Sequence, residues 1–360
     1  MAKTRTWFTS PLFLGLAIVA CVIVGAVLIF RPMTKRVLYP RGVKSLTIYY
    51  PSLSIDAHAV IPSPGGGAFY YERGKSSSGG ETGVIAGSIT ATGDLVEYII
   101  PTKDEFEAVV ADRSGTLWGA IILDDPRWPL VWRGALVKVA DARHVVPRLK
   151  FPTPLGYANS LTVGPDGDLW FALPDAHAVG KIDQTDHLST INVGGDLEPK
   201  AIVFDRAGNF YVSTEDAAAK RPDTIVMLER GSKCCGRTLV VSKRIGWQAA
   251  GNDSGIWFID EGENKIRHVA KNGSIDDVPG TARQLLDPIV IQGNSLWFSV
   301  TGGLGRMDLK SRSQNILELP DREGQLSSLA VSSLGEVWGA EDLRAAHCFG
   351  PCSGIIRVVP

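Results

Sequence analysis

Two hydrophobic patterns divide this chain. From Leu12 to Phe30 no side chain is charged, and a helix of that length spans roughly 28 Å, close to the hydrocarbon thickness of a bilayer. Residues 7–30 are therefore expected to form a transmembrane anchor, after a short tail over 1–6 and before a tether over 31–44. From Ser45 to Pro360 the pattern becomes short alternating runs broken by turn residues, which predicts strands.

The strand pattern repeats. A small apolar run, a Gly-centred turn and an aromatic on the next strand recur in Val109 to Trp118, Leu161 to Phe171 and Ala201 to Tyr211. Weaker copies place Phe69, Trp257, Trp297 and Trp338 at the same position, the seven aromatics lying roughly 40 to 52 residues apart. That spacing suits four short strands per repeat, so residues 45–360 are expected to form an all-β, seven-bladed β-propeller. Pro165-Asp166-Gly167 and Arg113-Ser114-Gly115 supply the hairpin turns between inner strands a and b. The C-terminal run Gly354 to Val359 reads as a strand c with no strand d after it, whereas Ser45 to Pro51 resembles the outer strand Leu95 to Pro101. The N-terminal strand is thus expected to complete the last blade and close the ring, which removes exposed ring edges. The repeated tryptophans are read as packing between blades.

Charge adds mainly exclusions. A formal net charge of -1 gives no overall basic field, so nucleic acid is not an expected partner. Positive residues flank the apolar run on both sides, Lys3 and Arg5 before it and Arg31, Lys35, Arg36, Arg41 and Lys44 after it. Counting them places the propeller inside; large domains translocate regardless of charge, and cysteine usage favours the outside. The expectation is a single-pass cell-membrane protein with an extracytoplasmic propeller and the membrane as one partner. Ile18-Val19-Ala20-Cys21 resembles a bacterial lipobox, but Val22 to Phe30 stays apolar where a polar tether is normal. Of the other cysteines, Cys234 and Cys235 are adjacent, and Cys348 and Cys352 are spaced as a loop disulfide or two thiols. Neither pair has the partners of a zinc site.

The repeat Gly164-Pro165-Asp166-Gly167 leading into Leu169-Trp170-Phe171, followed by Val179-Gly180-Lys181-Ile182 or Asn264-Lys265-Ile266, resembles the virginiamycin B lyase family of seven-bladed propellers. The resemblance covers most of residues 56–360 and implies an elimination in which a histidine acts as base and carboxylates hold Mg2+. Only the first repeat keeps a histidine before strand a, His58; the equivalent positions are Glu107, Asn159, Lys200, Gly246, Leu286 and Ser327. Carboxylates end strand b at Glu72, Asp260 and Glu341. On that resemblance His58 is the candidate base, and Glu72, Glu341 and Asp260 are the candidate metal holders. The same face receives the second-blade insertion with Trp128 and Trp132 beside Arg133, and the loop residues His177 and His347. These four form a candidate binding surface, since exposed aromatics beside arginine are typical of binding hot spots. Calcium-dependent lactonase propellers have six blades and fit the seven aromatics poorly. No G-x-S-x-G, H-E-x-x-H or phosphate-loop pattern occurs. The expected function is therefore a membrane-anchored module that binds a small-molecule or protein ligand through its loop-rich face, with metal-assisted lyase as the alternative.

Overall fold

The computed structural model describes residues 35–51, 57–72, 76–78, 81–102, 104–123, 133–141, 144–151, 155–215, 221–232, 236–252, 255–278, 280–320, 324–342 and 354–360. Alternation produces strands, and Gly-centred turns fold consecutive strands back on each other. At Gly115 and Gly167 the backbone takes φ of 84° and 88°, a left-handed conformation that glycine adopts without steric cost. Each glycine N–H donates to the carbonyl three residues earlier, Asp112 and Gly164, closing the a–b hairpin. All ladders so formed are antiparallel, and they assemble into seven sheets.

The inner strands are Ala57–Pro62, Glu105–Ala111, Ser160–Val163, Glu198–Phe204, Ile245–Asn252, Leu285–Gln292 and Gln325–Val331, in blades 1 to 7. Each packs beside the next, and the seventh packs beside the first, so the sheets stand radially around a central axis. This is the expected seven-bladed propeller. Closure follows the N-terminal route: Ser45–Tyr49 pairs antiparallel with Gly354–Val359, Ser45 opposite Val359 and Tyr49 opposite Ile355. The 31–44 segment, expected as a tether, carries one more strand, Lys35–Leu38, on the outer edge of blade 7. Its four residues bear two charges and too little alternation to signal a strand. The expected anchor over 7–30 lies outside the described residues, as do Cys21, Cys234, Cys235, Cys348 and Cys352. Among the described residues, no helix is long and apolar enough to cross a membrane.

The core is divided among the blade interfaces. Phe69, Tyr71 and Val84 of blade 1 meet Phe106 and Ile121 of blade 2, and Leu304 and Leu317 of blade 6 meet Leu46, Ile48 and Ile356 of blade 7. Six of the seven repeat aromatics are buried; Trp118 is half-buried. Opposite several of them strand c carries a cation: Lys181 lies 5.2 Å from the Trp170 ring, Arg306 5.3 Å from Trp297 and Arg357 5.5 Å from Trp338. Such cations are drawn to the negative face of the indole.

In blade 5 the residue opposite the tryptophan is His268, its ring 4.6 Å from Trp257. Burial pushes the His268 pKa below its ordinary value; Asp276 pulls the other way and Arg312 adds to the lowering. The unfolded chain therefore takes up this proton first, and stability from His268 is complete above about 6.5, its ordinary value, and lost as pH falls below it. His268→Gln is expected to flatten the loss of stability below that pH, measured as the urea midpoint across an acid series. An unchanged slope would show that the buried imidazole does not contribute.

Candidate ligand-binding site at the channel mouth

Six of the seven inner strands carry a register shift at the same end. His58 bulges between Ala57 and Ala59, Glu107 between Phe106 and Ala108, and Lys200 between Pro199 and Ala201. Gly246 to Gln248, Asp287 with Pro288, and Ser327 do the same in blades 5 to 7. A bulge leaves a residue without an opposite partner and re-aims its side chain. In blades 1, 2, 4, 5 and 7 the bulge includes the position where the family resemblance expects a histidine; in blade 6 that position, Leu286, stays paired with Ser299 just before the bulge.

Along the axis runs a cavity of about 1070 Å³. Its walls are the inner-strand side chains Val60, Val109, Leu161 and Ile289, and its mouth is polar, with His58, Glu107, Asn159, Arg244, Glu261 and Asp287. The loops from d to a and from b to c do emerge on this one face. Arg244 Nε lies 2.6 Å from Glu261 Oε2, so that arginine is balanced locally. Two further carboxylates, Glu107 and Asp287, line the same mouth.

Other bulge residues join blades: Lys200 does so away from the cavity, and Ser327 does so while also lining it. Lys200 is 3% exposed. Its ammonium donates to Asp223 Oδ2 at 3.0 Å and to the Ile245 carbonyl at 3.1 Å, with Glu215 Oε2 3.5 Å away. Asp223 Oδ2 also accepts the Ile245 N–H at 2.9 Å. Lys200 and Asp223 of blade 4 thus hold the start of the blade 5 inner strand. The device recurs: Ser327 Oγ donates to the Ala57 carbonyl at 2.8 Å, Ser299 Oγ accepts the Leu326 N–H at 3.1 Å, and Asn264 Oδ1 accepts the Leu285 N–H at 2.7 Å.

The residues that the sequence grouped stand in different surroundings. His58 lines the mouth, its ring 5.8 Å from Tyr71 in an edge-on contact. Glu72 is buried at the end of strand b opposite Ala57. Glu341 is buried in blade 7, where its carboxylate closes on Gly354 and adds to the raised pKa of Tyr50, itself due first to burial. Asp260 is fully buried; Ser242 Oγ donates to it at 2.6 Å and Arg267 neutralises it. None of these three carboxylates lines the cavity, because strand a stands between strand b and the axis. Among the described residues no three His, Cys, Asp or Glu side chains gather as a metal would require. This donor set does not fit Mg2+.

His177 follows the turn Pro174–Ala176 with φ of 50°, and its Nδ1 lies 3.2 Å from the Leu197 carbonyl, bridging blades 3 and 4. Trp128, Trp132 and His347 lie outside the described residues. Sequence reasoning passed over Arg244 and Asp287 and kept Glu107 and Asn159 only as replaced histidines. The signal that finds the latter pair is their position at the start of strand a.

No protein-family model matches the chain, and no curated protein sequence does. Solved structures do match. A streptogramin B lyase is 15% identical over 87% of this chain and 97% of its own, with a TM-score of 0.63. The fold is that of the virginiamycin B lyase propellers. It is shared more widely: the WD40 propeller of Doa1 gives 12% identity over 88% of this chain and 97% of its own, TM-score 0.62. YCF48 bound to a peptide gives 9% identity over 87% and 94%, TM-score 0.61.

Breaking a buried ion pair by removing one partner costs about 3–5 kcal/mol, whereas replacing both partners with apolar groups costs much less. Asp223→Ala and Lys200→Met are each expected to destabilise by that order in chemical denaturation. The pair Lys200→Met with Asp223→Leu should recover part of the loss. If each single variant unfolded at the wild-type midpoint, the pair would not be a blade-to-blade tie.

Proposed function

We propose that this chain is a membrane-tethered recognition module whose ligand enters the central channel at the mouth bearing His58, Glu107, Asn159 and Asp287. The observation that carries this reading is the axial cavity, large enough for a small molecule or a peptide end and lined by apolar side chains together with convergent polar groups. The carboxylates Glu107, Glu261 and Asp287 in its lining suit a ligand carrying an amine or guanidinium, which carboxylates bind through charge-assisted hydrogen bonds. The apolar walls take the uncharged part of such a ligand. That YCF48 binds a peptide on a similar fold is consistent with this use of a propeller and does not select the ligand.

The anchor in this proposal is residues 7–30, with the propeller on the extracytoplasmic side. Full-length protein in isolated membranes is expected to resist extraction by alkaline carbonate; release into the supernatant would count against the anchor.

The ligand class is tested by calorimetric titration of spermidine and of a short lysine-rich peptide into the full chain. Glu107→Gln and Glu261→Gln are each expected to weaken binding on the order of tenfold, and added salt to weaken it further. Binding that is absent, or equal in wild type and both variants, would remove the mouth as the site.

A further inference from the structure

The outer edge of blade 7 differs from the other blade edges. The strand Lys35–Leu38 pairs with Ser45–Tyr49 on one side and forms the open end of its sheet on the other. Lys35, Arg36 and Val37 are exposed along it, and Arg41 and Lys44 are exposed in the turn that follows. Between them Tyr39 is 80% exposed, the most exposed large hydrophobic residue described. No acidic residue occurs from Lys35 to Lys44.

Neighbouring elements extend this strip. Arg306 of blade 6 donates to the Gly42 carbonyl at 2.7 Å, and Asn315 of the same blade reaches the Arg41 carbonyl at 3.4 Å. On the other flank Lys35 lies beside Gly93 of blade 1, where Asp94 opposes it, and Arg36 faces Tyr50. The result is a basic strip with an exposed aromatic at its centre, on the circumference of the ring.

We infer that this strip docks on an anionic lipid surface and lays the propeller edge-on against the bilayer. The inference rests on the reading of residues 7–30 as an anchor. The apolar run ends at Phe30, five residues before Lys35, so even a fully extended link reaches only about 18 Å. Basic residues held that close to anionic headgroups are each attracted substantially, and tyrosine favours the headgroup level. Contact with lipid also covers an unpaired strand edge, which otherwise invites pairing with another chain. Because the strip lies on the circumference, docking sets the channel axis along the membrane plane, with the mouth opening sideways along the surface.

The test uses the full chain reconstituted into vesicles of phosphatidylcholine alone or mixed with phosphatidylglycerol. Flotation is measured first, then amide hydrogen exchange of residues 35–44, with the outer strand of blade 4, Arg237–Ser242, as the internal control. Flotation with both lipids, and exchange at 35–44 slowed on the order of tenfold only in the anionic vesicles, is the expected result. The slowing should disappear in high salt and in Arg41→Glu with Lys44→Glu. Flotation with both lipids but equal exchange overturns the docking and leaves the anchor standing. Failure to float with either lipid overturns both. Slowing that is the same in both lipids and rises with protein density assigns the edge to a second copy of the chain and overturns lipid docking.

Discussion

Each blade here is a sheet with apolar side chains on both faces, and no blade can bury both by itself. The ring answers that requirement, because every face is covered by the next sheet. Described apolar clusters therefore fall between blades, as Ile121 and Phe69 do between blades 2 and 1. A ring also cannot tolerate an unfinished member. Blade 7 lacks its fourth strand until Ser45–Tyr49 joins Gly354–Val359, and Leu46 and Ile48 are then wholly buried against blade 6. Residues at the two extremes of the propeller become partners in one sheet, so the last interface to form depends on a strand paired across the whole length of the domain.

Apolar burial is non-directional and does not fix how far one blade is rotated against the next. The polar ties at the start of the inner strands supply direction. Buried backbone groups at the start of an inner strand, just before the bulge, need partners, and the preceding blade provides them through Ser327, Ser299, Asn264 or the Lys200–Asp223 pair. One end of the inner strands therefore serves two purposes. Where its own blade offers an acid, as Asp223 does to Lys200, the bulged side chain is consumed in assembly. Glu107, at the same position two blades away, lines the channel instead.

That double use explains how far the sequence could be read. The Gly-centred turns, the repeated aromatic and the missing final strand are local or periodic, and each has a direct conformational consequence in the structure. The direction of a side chain near a bulge is neither, since one extra residue reverses the alternation of a strand. Glu72, Asp260 and Glu341 share a position along strand b, and the sequence placed them near one rim. What it could not express was that strand a screens them from the axis, and that Arg267 and Ser242 already occupy Asp260. Lys35–Leu38 was hidden for a different reason: a four-residue edge strand with two charges has no buried face to announce it.

A lyase and a WD40 domain resemble this chain almost equally well, with TM-scores of 0.63 and 0.62. The shared feature is interface packing, which any sequence with the right apolar repeat can supply, so likeness of fold carries no choice between chemistries. The inner-strand starts are where this chain becomes individual. Around the axis they bear histidine, glutamate, asparagine, lysine, glycine, leucine (followed by Asp287) and serine in turn, so seven similar blades present seven different groups. A symmetric ring would offer a ligand several equivalent orientations, whereas this mouth places Glu107 and Asp287 at fixed and unequal stations. A cationic group held there would have its remaining atoms directed along the valine and leucine walls in one sense only. Recognition then depends on broken symmetry at a few bulges, while stability depends on the symmetry kept everywhere else.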